Sequence, residues 1–330
     1  MSEPSNGNNS VILFAREGTG TTSGDRWGDM PTTPVPHKLL VLAGGGGVGD
    51  TNFIENGLLG SDPNPRDTRT GRQAATASFD FYPNVKSAAW LNEFCLGVRG
   101  TTTGGGPYVS PSMLSSGRLP SWSIEESQDL EAGVEYKQTT GARVDKVSIE
   151  FSDQGFLVYK TQLLAKGVTL TPTGMTGSPV DWAEDEVFDH MEMTKLKINS
   201  VDFLQAVSGS IDVAHNHFGD HYVAMGGGVR RSLPRRKAKV NGKVKQFFED
   251  TYLYNLALAG TYVPLEIEWA NGTYGVNILV PRIRFKRTDP KLVDGPADIE
   301  FAFEASKDSV EGTSILATTT TSINDAAMAA

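Results

Sequence analysis

Residues 141–167, GARVDKVSIEFSDQGFLVYKTQLLAKG, constrain the fold more than any other stretch of the chain. They contain two mixed runs joined by the short turn SDQG. The first run alternates strictly between apolar and polar residues: Val147, Ile149 and Phe151 against Lys146, Ser148 and Glu150. This period of two predicts a β-hairpin with one face on a core and the other in water.

The second half of the chain repeats the order of elements predicted for the first. Each half has a strand, a Gly-rich segment that ends in arginines, a second strand, a short helix that ends at a glycine, and a hairpin. The predicted helices cover residues 84–97 and 249–260. The second hairpin departs from the first because Pro281 lies inside its first strand and its turn, 288–296, is longer. The order nevertheless predicts a duplicated β-rich domain of roughly 150 residues.

We therefore expect a mainly β protein with two tandem sandwich or half-barrel domains, each with one short helix. The predicted boundaries are a flexible N-terminal arm at 1–35, a first domain at 36–168, a linker at 169–188, a second domain at 189–306 and a flexible C-terminal tail at 307–330.

Composition narrows the classes of protein that the chain represents. The net charge of −9 disfavours a general nucleic-acid binder. A single cysteine, Cys95, excludes an intramolecular disulfide scaffold and fits a reducing compartment. Neither a secretion signal nor an apolar run long enough to span a membrane is recognisable, so we expect a soluble protein made in a cytoplasm.

Three stretches resemble the bacteriophage tail tube (major tail) protein family. They are FAREGTGTTSGDRWGDMP near the start, GRQAATASFDF, and the run from LPSWSIEES through GVEYKQTTG to the hairpin at 141–167. The resemblance is clearest over residues 72–167 and extends to 306.

The resemblance implies a structural virion protein that forms stacked rings, in which joined sheets make a continuous β-barrel lumen for DNA. With two tube domains per chain, it implies rings of three chains with pseudo-hexameric symmetry. The expected partners are further copies of the chain, the tape measure, the tail terminator and the distal tail or baseplate. DNA is expected to pass without specific binding, and assembly to occur in the host cytoplasm. No enzyme activity, cofactor, metal or membrane contact is expected.

Carboxylates on the polar faces of the predicted strands are the candidate lumen residues. An acidic wall would repel the DNA backbone, whereas lysine or arginine contacts would add affinity. The residues expected to line the lumen are Glu150, Glu266, Glu268, Asp298 and Glu300.

A basic tract and an acidic tract are the candidate subunit contacts. The basic residues are Arg230, Arg231, Arg235, Arg236, Lys237, Lys239, Lys243 and Lys245, and the acidic residues are Asp181, Glu184, Asp185, Glu186 and Asp189. The basic tract is open to two interpretations, phosphate contact or subunit contact. We favour subunit contact, with the four arginines facing Glu184 and Asp185 on a neighbour, because charge complementarity sets orientation and register.

Two further patterns allow other functions. Gly44, Gly46 and Gly49 have the GxGxxG spacing of a dinucleotide loop, but no helix follows them, so we expect a flexible loop. His215, His217 and His221 allow a metal site, although loop histidines with solvent partners are commoner. The alternative to a tube subunit is a β-rich adhesin or tail-tip binding module. An enzyme is the third choice, because no catalytic constellation is recognisable.

Overall fold

The structure is a computed structural model and describes residues 11–17, 27–31, 35–54, 69–114, 119–130, 133–182, 186–222, 228–247, 251–288 and 298–323. The mainly β prediction is confirmed. Strands of the first half are β1 Ile12–Arg16, β2 His37–Lys38, β3 Val41–Ile54, β4 Arg69–Phe81, β5 Gly97–Arg99, β6 Tyr108–Leu114, β7 Trp122–Leu130, β8 Gly133–Ser152, β9 Val158–Ala165 and β10 Gly167–Thr171. Those that follow are β11 Val180–Asp181, β12 Met193–Ile198, β13 Val201–Asp202, β14 Ala206–Ala214, β15 Lys239–Phe247, β16 Val263–Asn271, β17 Tyr274–Phe285, β18 Asp298–Ala305 and β19 Leu316–Thr321. The α-helices are α1 Ser87–Leu96 and α2 Tyr252–Ala259.

The two halves of the chain have the same order of paired strands. In the first half the antiparallel order is β1–β7–β8–β9–β4–β3. In the second it is β12–β16–β17–β18–β15–β14. β10 pairs with β8, and β19 pairs with β17 in the same way. This repetition supports an internal duplication.

A β-bulge occurs at the same place in both halves. Thr140 and Gly141 of β8 together oppose one residue of β7. Pro281 and Arg282 of β17 together oppose one residue of β16. Proline cannot donate to a ladder, so a bulge is one of the few strand positions that accept it. Pro281 therefore does not interrupt the pairing of the second hairpin.

The bulges divide β8 and β17 between two layers. Before its bulge, each strand pairs in a layer that we call the covering layer, which contains β1, β7, β10, β12, β16 and β19. After its bulge, each strand pairs in the joined layer, which contains β3, β4, β9, β14, β15 and β18. Phe151 on β8 and Trp269 on β16 meet with ring centroids 6.1 Å apart, so the layers pack core to core.

Direct pairing of β8 with β14 makes the joined layer continuous across the two halves. Residues 146–152 pair with residues 208–214 in the antiparallel sense. Gly209 lies opposite Phe151, and Gly242 lies opposite Phe303. A Cβ atom on either glycine would overlap the facing ring, so glycine leaves the space in which each phenylalanine is buried.

The two predicted helices are confirmed, but they differ in burial. Every residue of α1 is buried, whereas only Leu253 and Ala257 are buried in α2. Asn92 of α1 accepts a hydrogen bond from the Tyr159 hydroxyl and donates one to Thr319, each at 2.9 Å. These bonds link β9 of the joined layer to β19 of the covering layer. Trp90 and Phe94 of α1 pack among buried aromatic rings of neighbouring segments: Phe14, Phe79, Phe81, Trp122 and Trp182.

The prediction of a flexible arm at residues 1–35 is wrong for those of its residues that the structure describes. β1 pairs with both β7 and β2, and Phe14 is fully buried. Glu17 is also buried, and its carboxylate accepts hydrogen bonds from the backbone N–H groups of Gly28 and Gly141 and from the Ser123 hydroxyl. Through these long-range contacts the segment becomes part of the core. The local sequence could not reveal them.

The expected linker and C-terminal tail also contain ordered elements. Within 169–188, β11 pairs with β2, and buried Trp182 stacks on His37 at 4.4 Å. Within 307–330, β19 pairs with β17 on one side and with β6 on the other. Because β6 belongs to the first half, the two halves are interleaved and not separated by a loose linker.

The GxGxxG segment is a strand and not the loop that was expected. Gly44, Gly46 and Gly49 lie within β3, which pairs with β4 in the antiparallel sense. A dinucleotide loop lies between a strand and a helix of a parallel βαβ unit, so this pairing gives no support to that interpretation.

Burial of His37 predicts acid sensitivity. Burial lowers the pKa of His37 to about 4, below the value of roughly 6.5 expected in the unfolded chain. The unfolded state therefore binds more protons between these values, and stability is lost as the pH falls through this window. From pH 7 to pH 5 we expect the free energy of unfolding of the wild type to fall by about 2 kcal/mol more than that of His37→Phe. Urea titrations of both proteins measure this difference, and parallel pH profiles would contradict it.

Candidate functional site: a charge-paired polar face

The polar face of the joined layer is built from rows of residues that lie opposite one another on adjacent strands. One row crosses the layer through Asp80, Lys160, Ser148, Asp212, Asn241, Glu304 and Arg284. Since directly opposed residues share a face, both halves contribute to one surface. This surface contains a depression of about 440 Å³, lined in part by Asp80, Lys160, Asp212 and Asn241.

Four carboxylates on this face are paired with lysines of adjacent segments. The pairs are Glu150 with Lys160 at 2.6 Å, Asp298 with Lys245 at 2.6 Å, Glu300 with Lys243 at 3.1 Å and Glu304 with Lys286 at 2.6 Å. The hydrogen bond from Lys160 to Glu150 raises the pKa of Lys160, and Lys286 lowers the pKa of Glu304. Such exposed pairs contribute little stability, but they balance the charge. The polar face is therefore mixed in charge and not uniformly acidic.

Exposed and buried residues alternate along the first part of β18. Asp298 and Glu300 are exposed, whereas Ile299 and Phe301 are buried. Glu150 lies on the same polar face as these two carboxylates, because the rows connect β8 through β14 and β15 to β18.

Glu266 and Glu268 do not share this face. They lie on β16 in the covering layer, and Lys195 pairs with them at 2.8 and 2.7 Å. Trp269, the next residue of β16, points into the core towards Phe151 of the joined layer. Both carboxylates therefore lie on the far side of the core from Glu300. Sequence alternation identified their polar face correctly, but it could not distinguish the two layers.

The basic tract is at one end of the joined layer. Arg235, Arg236, Lys237 and Lys307 line a cavity of about 690 Å³ whose walls also include Leu119 and Leu233. This is the end of the layer at which β14 finishes, since Arg235 forms an isolated backbone β-bridge with His217, shortly after β14. Lys243 and Lys245, which the sequence grouped with the tract, instead lie on the polar face.

Of the acidic tract, Glu186 and Asp189 lie at the opposite end. Asp189 forms an isolated backbone β-bridge with Phe156, which lies in the turn after β8. This turn is at the end of β8 that is remote from Arg143. Glu186 accepts a hydrogen bond from the side-chain amide of Asn271 at 2.9 Å. Glu184 and Asp185 lie outside the described residues.

Arg230 is buried inside the chain, which overturns its expected role as a subunit contact. Its guanidinium donates to the carbonyl oxygen of Gly219 at 2.7 Å, to that of Ala75 at 3.2 Å and to that of Ala165. It thereby fixes the segment around residue 219 to paired strands β4 and β9. Its neighbour Arg231 is exposed.

The three histidines have separate partners. The Nε2 atom of buried His215 lies 2.6 Å from the carbonyl oxygen of Cys95, and burial lowers the pKa of His215 to about 3. His217 Nδ1 lies 3.3 Å from Asp145 Oδ1, and His221 Nδ1 lies 2.6 Å from the Ser232 hydroxyl. Among the residues that the structure describes, no group of three or more His, Cys, Asp or Glu side chains could hold a metal ion.

Comparison with known protein families agrees with this architecture. Residues 7–314 match the family model described as phage tail tube protein. The chain belongs to the phage tail tube protein family. It is therefore a structural protein of a phage tail, and the resemblance seen in residues 72–167 is confirmed over both halves. None of the curated proteins compared with it matches the chain.

In the described ranges, neither α-helix is long and apolar enough to cross a bilayer.

The contrast between Arg230 and Arg231 predicts a difference in stability. Arg230→Lys should lower the free energy of unfolding by about 2–3 kcal/mol, because it leaves buried carbonyl oxygens without a donor. Arg231→Lys, the matched exposed control, should change it by less than about 0.5 kcal/mol. Denaturant unfolding of the two variants tests this. Equal effects would contradict the buried role of Arg230.

Proposed function

We propose that the chain is the tail tube subunit that polymerises as stacked rings around a DNA-conducting channel. The observation that carries this proposal is the continuous polar face that two repeated strand units share. Membership of the tail tube family supports the same function.

Ring size follows from the repeat. Each chain supplies two equivalent four-strand units to the joined layer, so three chains would place six units around an axis. Closing the layer into a barrel would also remove its open edges. The partners proposed for the assembled tube are the tape measure, the tail terminator and the distal tail or baseplate, with assembly in the host cytoplasm. The proposed function needs neither a cofactor nor an enzymatic site.

The opposite ends of the joined layer suggest how rings stack. A head-to-tail contact joins two different surfaces of the same chain. The cavity lined by Arg236, Lys237 and Lys307 would face the acidic end, with Asp189, of the next ring. Arg231 and Arg235 belong to the same basic end, and Glu184 and Asp185 to the acidic tract proposed as its mate. Complementary charge would set the direction of stacking more than its strength.

The polar face suits a channel wall through which DNA slides. Glu150, Asp298 and Glu300 would line the lumen, each paired with a lysine. A paired lysine already has a counter-charge, which reduces the gain from contacting a phosphate. The wall would therefore neither hold nor strongly repel the DNA backbone.

Electron microscopy tests the proposed assembly. Negative staining of the concentrated protein should show rings or tubes about 100 Å across, a few domain diameters. Light scattering of isolated rings should give the mass of three chains. Dispersed monomers that bind a glycan would instead support the adhesin or tail-tip module.

Charge reversal tests the proposed wall. Asp298→Lys combined with Glu300→Lys would leave four neighbouring lysines on the polar face of each chain. Phage particles carrying this double variant should eject DNA several-fold more slowly at low salt, and added salt should reduce the defect. The matched control adds Lys243→Glu and Lys245→Glu, which restores the pairs with reversed orientation and should restore ejection. Double-variant particles that eject at the wild-type rate would exclude these residues from the wall.

A further inference from the structure

The joined layer of one chain has two edges. Among the described residues, β4 is the only strand that pairs with β3, so the other side of β3 forms one edge. At the far end, β17 leaves β16 after Ile283 and then, within the part of the chain that the structure describes, pairs only with β18. An edge that exposes backbone N–H and C=O groups is a template for pairing with another chain.

The chain contains an internal example of how such edges join. β8, after its bulge, pairs with β14. In the duplicated strand order, β17 is the equivalent of β8, and β3 is the equivalent of β14. The edge strands of the whole chain are thus the counterparts of the two strands that already pair inside it.

We propose that β17 and the residues that follow it in one copy pair antiparallel with β3 of the next copy, in the register of the β8–β14 pair. This inference rests on the proposed self-assembly and adds the strands and the register. The partner at each edge is a second copy of this chain. The two edge strands, β17 and β3, are the repeat equivalents of β8 and β14, which already pair inside the chain.

The shared bulges align the two halves residue by residue. Ala142 and Ile283 are the first residues paired after the bulges. On the next strand of the joined layer, Ala165 of β9 corresponds to Ala305 of β18. On the strand after that, Ala75 of β4 corresponds to Val240 of β15.

The same alignment extends to the edges. Lys146 pairs with Gln162 on β9, and the Lys286 backbone N–H donates to Ala302 on β18 at 2.7 Å, so the two lysines are equivalent. On the other strands, Lys239 pairs with Ala214, and Ala74 pairs with Asp50.

The register then follows directly. Lys146 lies opposite Ala214 inside the chain. Lys286 is therefore expected opposite Asp50 of the next copy. Opposed residues in an antiparallel pair have Cα atoms about 4.5–5.5 Å apart, within the range that a disulfide spans.

Cysteine pairing tests this register in the assembled protein. Lys286→Cys combined with Asp50→Cys in one chain should form interchain disulfides on oxidation with diamide, and non-reducing gels should show a ladder that ends at three chains. The native Cys95 is buried, and burial raises the pKa of its thiol, so it should not compete.

Two matched variants control the experiment. Lys146→Cys with Ala214→Cys, the internal equivalent, should form an intrachain disulfide without assembly. Lys286→Cys with Gly49→Cys moves one cysteine by a single residue, to the opposite face of the strand, and should bridge poorly.

Hydrogen exchange of the wild type provides a second test that needs no substitution. Backbone amides of residues 41–54 and 284–288 should exchange more slowly in tubes than in subunits. Tubes that form without a disulfide between positions 286 and 50, and without this protection, would contradict the proposed register but not the proposed assembly. A chain that remains monomeric by electron microscopy and light scattering would contradict both proposals.

Discussion

The structure depends on the bulge that allows one long strand to serve two layers. β8 and β17 each leave the covering layer and enter the joined layer where two residues oppose one. A bulge bends the strand while the ladder continues on both sides. The apolar faces of the two layers consequently meet, and their polar faces point apart. This geometry decides that Glu300 and Glu266 lie on opposite sides of the molecule, although both occupy polar positions of amphipathic strands.

The repeat gives the two halves equivalent backbones but different surroundings. α1 is buried on all sides, and Asn92 connects the layers through two hydrogen bonds. α2 occupies the equivalent position in the strand order, yet it buries only two of its residues. The β6–β19 pairing contributes to this difference, because it brings the C-terminal strand against the first half and next to α1. Duplication therefore preserved strand order more closely than burial.

Local patterns predicted the parts of the fold that depend on local periodicity. The hairpin at 141–167, the alternation around Phe301 and both helices follow from spacing that neighbouring residues determine. β1 and β19 were missed because ILFAR is short and LATTTT has few large apolar residues. Each becomes a strand through pairing with segments more than a hundred residues away. The buried role of Arg230 was missed for the same reason, since two of its three acceptors, the carbonyl oxygens of Ala75 and Ala165, lie on distant strands.

Charge pairing on the polar face also depends on tertiary structure. Lys243 and Lys245 lie next to arginines in the sequence, which suggested one basic tract. In the fold they lie on β15, beside Glu300 and Asp298 of β18. Strand pairing thus converts two single-sign segments into a face on which opposite charges alternate. Because neither segment retains a large excess of unpaired charge, the field above this face should change sign over distances of a few ångströms. Long-range attraction of a polyanion requires a coherent excess of positive charge. A mixed face provides none, while its fixed polar groups keep the surface hydrated, and both properties suit the proposed channel wall.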